Sequence, residues 1–273
     1  MSVCSATQSN LSRSAVLAKD RRFATSGAPG RPLSGADWFA YFRGNAARHR
    51  PVSWQSEATA TAEELSAIAS SLRAWQLGET SEGNHLRAAA VRYGEQIHDP
   101  DYLAAVELFI REEQRHGALL GRFLDMVGLD RKSADWGDSL FRLARYCMRD
   151  MEVWTTPVVM VETLALIYYN AIRHATSSVA LRTICSQILS DEIPHLHFAC
   201  ERLATIYRRR SRFLLRLTMI VQRLLFAGVA TLVWFGHRRG LRAGGYGWRR
   251  YWKAAGERMR FSWRLMDPGR YRW

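Results

Sequence analysis

The chain of 273 residues carries 39 Lys+Arg against 25 Asp+Glu, a formal charge of +14, with 48% hydrophobic residues and 7 prolines. That length suits one large domain or two modest ones, and the composition excludes a disordered chain and a collagen-like or polyproline architecture. The charge is uneven: residues 207–273 hold 17 basic and 2 acidic side chains, residues 1–206 hold 22 and 23. A near-neutral body therefore carries a strongly basic tail, a pattern suited to contact with an anionic surface.

Residues 1–35 are rich in Ser, Ala, Gly and Arg and read as a flexible leader without the apolar core of a secretory signal. Asp37–Arg48 reads as a short helix capped by Asp37, its apolar surface supplied by Trp38, Phe39, Tyr41 and Phe42. Four long helical patterns follow, with no alternating strand. The first spans Thr61–Ile97. The second starts with Asp99 as N-cap and Pro100 as first residue and ends near Gly128. The third spans Ser139–Thr176 and the fourth Val179–Tyr207. Short connections between long helices predict an antiparallel up-down bundle. The domains expected are a leader with one short helix (1–56), a four-helix bundle (57–207) and a basic Arg/Trp-rich helical extension (208–273). Four scattered cysteines, Cys4, Cys147, Cys185 and Cys200, give no disulfide framework and point to a reducing compartment.

Carboxylates interrupt the apolar seams. Glu82, Glu113, Glu162 and Glu192 each fall on the core-facing stripe of a different helix, and Glu113/His116 and Glu192/His195 form Glu-x-x-His pairs. Residues three apart share one helix face, so carboxylate and imidazole can hold one ion together. Spacing alone overcounts, because Glu82/His85 and Glu95/His98 also match; seam position selects the useful pairs. Glu79 also lies on the seam and competes with Glu82 as first ligand, and the near-equal separations Glu82 to Glu113 and Glu162 to Glu192 favour Glu82. Buried carboxylates need compensation, which divalent cations would supply. Oxygen-rich ligation with two imidazoles suits iron or manganese. His85, His197 and Glu201 read as outward-facing or ordinary polar residues. Pro157 and Pro194 fall beside the ligands, where they predict a bend or a local widening of their helices.

The order lone Glu, Glu-x-x-His, lone Glu, Glu-x-x-His over residues 60–206 resembles the ferritin-like di-metal carboxylate superfamily. The resemblance implies an all-α, ferritin-like antiparallel four-helix bundle binding two Fe ions, with Mn as the alternative. It implies Glu82 and Glu162 as terminal ligands, Glu113 and Glu192 as bridging ligands, and His116 and His195 each on one ion. Second-layer candidates are Glu112, Asp191 and Tyr169, and Tyr169, one heptad after Glu162, is the catalytic candidate. The expected function is a non-haem di-iron oxidase or oxygenase using O₂ on a small-molecule or lipid substrate. The alternatives are an iron-handling ferroxidase or peroxide scavenger, and a membrane-associated helical protein without catalysis.

No stretch of the chain reads as long and apolar enough to span a membrane; the nearest, Phe213–Phe235 in the tail, is broken by Arg216, Gln222 and Arg223. Flanking arginines and tryptophans suggest a helix lying on an anionic membrane surface through 208–273, and the competing reading is a fifth helix covering the bundle. No recognisable module supports nucleic-acid binding. The expected location is cytoplasmic, with a peripheral position at the inner membrane face and pairing into a homodimer both left open.

Overall fold

The structure, a computed structural model, describes residues 30–48, 50–55, 59–133 and 150–273. Among these residues it is all-helical. The helices are α1 (Gly35–Ala46), α2 (Ala62–Glu79), α3 (Asn84–Ile97), α4 (Asp101–Met126), α5 (Met151–His174), α6 (Val179–Tyr207), α7 (Arg212–Ala243) and α8 (Trp248–Leu265), followed by a 3₁₀ turn at Pro268–Arg270. The leader through residue 29 and residues 134–149, which include the start of the expected third helix (139–149), lie outside the described residues.

Hydroxyl and carboxylate caps set most helix starts, each accepting from an otherwise unpaired N–H. Ser34 and Thr61 form reciprocal capping boxes with Asp37 and Glu64, and Asp150, Ser178 and Ser211 cap α5, α6 and α7. Asp37 therefore sits inside α1 rather than capping it. Asp99 does not cap α4; its carboxylate instead accepts from the Gly35 N–H at 2.8 Å and ties the start of α1 to the turn between α3 and α4.

The expected single helix Thr61–Ile97 is two helices. The chain leaves the helix after Glu79 and re-enters at Asn84 through Gly83, whose φ of 70° lies in the left-handed region. A side chain there would be strained and would also press on Ile110. Hydrophobic spacing continues across the break, so periodicity did not reveal it. Pro157 and Pro194 lie within α5 and α6, which continue as α-helix on both sides of each proline with no π turn.

The main apolar core draws Leu72, Leu120, Leu124, Tyr168, Leu181 and Ile188 from α2, α4, α5 and α6, and extends to Trp234 and Tyr251 of α7 and α8. A second cluster under α1 joins Trp38 and Phe42 to Ala89, Tyr102, Phe109 and Phe198. Two residues expected to face outward are drawn inward by these contacts. His197 is buried against the Phe261 ring, and burial, helped by Arg270, lowers its pKa to about 4. Glu201 accepts from the Leu33 N–H and the Trp38 indole N–H at 3.2 and 3.1 Å, fastening α1 to α6.

Among the described residues, two helices are long and apolar enough by composition to cross a membrane: α5, whose most apolar window is 67% buried, and α7, whose window has mean hydropathy 1.7 and is only 22% buried. This corrects the expectation that no stretch is long and apolar enough to span. Gln222 turns inward and its amide donates to the Tyr207 hydroxyl at 2.6 Å, and α7 runs unbroken past Arg216 and Arg223.

Candidate metal centre

Four helices bring six side chains to one buried place. Glu79 is the last residue of α2, Glu113 and His116 lie on α4, Glu162 on α5, and Glu192 and His195 on α6. One ligand atom each from Glu79, Glu113, His116 and Glu192 all lie within 4.8 Å of one another, and so do atoms from Glu113, Glu162, Glu192 and His195. Each set could hold a metal ion, and Glu113 and Glu192 belong to both. The helical i, i+3 spacing places each carboxylate and imidazole on the same face.

Five of the six expected ligands, Glu113, His116, Glu162, Glu192 and His195, are brought together; Glu82 is not. Glu82 is exposed in the α2–α3 connection and accepts from the Asn84 amide at 2.7 Å. Glu79 stands in its place. The equal-spacing argument misled because α3 is inserted between α2 and α4, so the separations in the two halves are not comparable. Glu79 reaches the cluster because α4 presents no side chain where the α2 terminus crosses it. A Cβ on Gly117 would lie 2.7 Å from the Thr80 methyl and 3.1 Å from the Glu79 carbonyl carbon.

A second layer crosses between α4 and α6. Asp191, next to Glu192, holds His116 Nε2 at 3.1 Å, and Glu112, next to Glu113, holds His195 Nε2 at 2.9 Å. Each imidazole that donates from Nε2 to a carboxylate turns the lone pair of Nδ1 toward the cluster, the tautomer a metal ligand needs. Arg115 donates to Asp191 at 2.6 Å and to Gln187 at 3.2 Å. From α1, the Asn45 amide donates to both second-layer carboxylates, to Glu112 Oε1 and to Asp191 Oδ1 at 3.0 Å. Tyr169, the remaining second-layer candidate, donates its hydroxyl to Glu79 Oε1 at 2.5 Å and meets the Trp75 ring edge-on. The Phe109 ring packs edge-on against His195, with Phe42 behind it.

The charges fit a cation. Glu113 Oε1, His116 Nδ1 and Glu192 Oε1 are buried atoms with no hydrogen-bond partner, and all three belong to the donor sets. The 2.6 Å approach of Glu113 Oε1 to His195 Nδ1 is an ion-pair contact without hydrogen-bond geometry. Buried polar atoms left this way cost free energy unless something satisfies them. Burial, then the charges of Glu113 and Glu192, push the Glu79 carboxyl well above the usual carboxylate range; burial and the same two charges do so for Glu162. Burial would raise Glu113 too, but the His195 imidazolium holds it down at about 2. Burial pulls both imidazoles down, and the carboxylates outweigh it: Asp191 and Glu113 raise His116, Glu113 and Glu112 raise His195. Without metal, the cluster therefore favours protons on Glu79, Glu162 and the imidazoles over their loss, relative to the same groups in water.

Asn45, Arg115 and Phe109 are not among the residues that the sequence singles out, and Phe42 reads there only as apolar surface of the short helix. A signal for Asn45 existed: with Trp38 and Phe42 it completes a buried stripe at spacings of four and three, and a polar residue on such a stripe calls for partners. Compared with protein-family models, with curated proteins and with solved structures, the chain matches none.

Proposed function

We propose that this chain is a ferritin-like di-metal carboxylate protein and that it serves as a non-haem di-iron oxidase or oxygenase. The observation that carries the reading is the pair of overlapping four-donor sets that share Glu113 and Glu192. Two divalent cations would balance four carboxylates and leave both imidazoles neutral, and hard oxygen donors with two nitrogens suit iron, with manganese as the alternative. In this reading α2, α4, α5 and α6 are the four helices of the bundle. Glu113 and Glu192, common to both sets, would serve both ions, Glu79 and His116 would hold one, and Glu162 and His195 would hold the other.

Iron bound there would supply the redox chemistry toward O₂ and an organic substrate. The chain's own groups supply placement and dryness. Asp191 and Glu112 fix the imidazole tautomers, Tyr169 holds its hydroxyl proton at Glu79 Oε1, and Phe109 and Phe42 keep water from the His195 side.

The test is anaerobic loading of the metal-free protein with Fe(II), counting of retained iron, and exposure to O₂. Two irons per chain and an oxo-bridge charge-transfer band are expected; retention of one iron or none would refute the di-metal reading. Oxidation of added iron alone, with no organic compound consumed across a substrate screen, would replace the oxygenase by a ferroxidase.

A pH dependence follows from the same protons. A cation entering the cluster must displace those on Glu79, Glu162, His116 and His195, whose pKa values are all raised. Metal affinity therefore rises with pH and falls as acid restores the protons, with proton release on binding. Mn(II) titrations against a competing chelator across neutral and mildly acidic pH, with an indicator dye counting protons, measure both. Glu113, already ionised, contributes no proton.

A further inference from the structure

Helix α7 presents one face to the protein and leaves the other apolar and open. Gln222, Phe226, Ala230 and Trp234, four residues apart, are buried against the body. On the opposite side Phe213 is 78% exposed, Leu224 70%, Phe235 58% and Ile220 52%. At 100° per residue, these four and Leu217 fall within roughly a sixth of the circumference, a continuous stripe along the helix axis. Soluble proteins do not leave such a stripe in water without a partner.

The charges around the stripe identify the partner. Helix α7 contains Arg212, Arg216, Arg223, Arg238, Arg239 and Arg242 and no acidic residue. Arg216 and Arg223 run along one edge, and the others cluster at the two ends. Tryptophans mark those ends as well: Trp248, 46% exposed, stands beside Phe235, and Trp273, 43% exposed, lies under the Arg208 guanidinium. Two copies of this face packed together would oppose arginines to arginines with no counter-charge from α7, whereas anionic headgroups pair with every one of them. Tryptophan and arginine bordering an apolar stretch also suit the headgroup layer.

We propose that α7 is a monotopic membrane-binding helix that lies in the surface of an anionic bilayer, its Phe213–Phe235 stripe in the acyl region and its arginines among lipid phosphates. It lies rather than spans because its inner face is committed to α2 and α5, which carry Glu79 and Glu162. This assignment stands on surface features alone and does not depend on the metal reading.

The experiment is co-sedimentation of the full chain with vesicles of phosphatidylcholine alone and of phosphatidylcholine mixed with phosphatidylglycerol. The expected result is binding to the anionic vesicles, weaker binding to the neutral ones, and weakening by added salt. A double variant Leu224→Glu/Phe235→Glu, at two exposed positions, should reduce partitioning by about tenfold or more while keeping the helical circular-dichroism signal. Three outcomes would overturn the proposal. The first is a wild-type chain that sediments with neither vesicle, and the second is equal binding to both at low salt. The third is a dimer in solution that the double variant converts to a monomer with no vesicle binding by either, which would make the face a contact between copies.

Discussion

Glu192→Ala is expected to abolish metal retention altogether, while Glu82→Ala leaves it at the wild-type level. Glu192 contributes to both donor sets, so its loss leaves neither with four ligands. Glu79→Ala should affect only the set it shares with His116. Elemental analysis of each protein after loading and desalting reads these outcomes, and full metal content in Glu192→Ala would dismantle the assignment. The metal-free proteins should behave in the opposite sense. The charge of Glu192 raises the pKa of Glu79 and of Glu162, so the near-isosteric Glu192→Gln removes repulsion among the buried carboxylates. Its metal-free form should match or exceed wild type in thermal stability, by about 1 kcal/mol. A variant less stable without metal yet unable to bind it would show that Glu192 is there to hold the fold.

The seam pattern was legible because helix period and polarity disagree at few places. Glu113, Glu162 and Glu192 sit where apolar side chains would otherwise recur, and the pairing with His116 and His195 needs only local geometry. The bounds of α6 were legible too, with Ser178 capping the start expected from the sequence. The first ligand was harder. Leu72, Trp75, Glu79, Glu82 and Leu86 continue one helical stripe in sequence, but the chain breaks between the two glutamates, and a break made by a left-handed Gly83 packed on Ile110 is a tertiary fact. Gly117 is of the same kind: its missing side chain matters only once α2 crosses it. The apolar length of the tail helix reads too short in sequence for another reason. Counting Arg216, Gln222 and Arg223 as interruptions ignores which side of the helix each occupies. Gln222 points inward to Tyr207, and Arg223 lies over the Trp263 ring.

Asn45 should be the most sensitive position outside the ligands themselves. Its amide donates to both second-layer carboxylates, Glu112 and Asp191, and those two orient His195 and His116. Asn45→Ala leaves two buried carboxylate oxygens without that donor, a loss worth about 1–3 kcal/mol each when nothing replaces it. Asp191 keeps Arg115 as a second partner, so the deficit falls mainly on Glu112 and the His195 side. Metal affinity should drop by roughly 10- to 100-fold, the usual cost of losing a group that orients a ligand. Asn45→Asp should be worse than alanine, because it adds a third carboxylate to a pair already held apart by the amide, with similar side-chain volume and no donor to offer. Chelator competition on the wild type and both variants ranks them. If Asn45 only fills space between α1 and α4, the aspartate variant should bind metal better than the alanine variant, since it preserves the packing; the electrostatic role requires the reverse order.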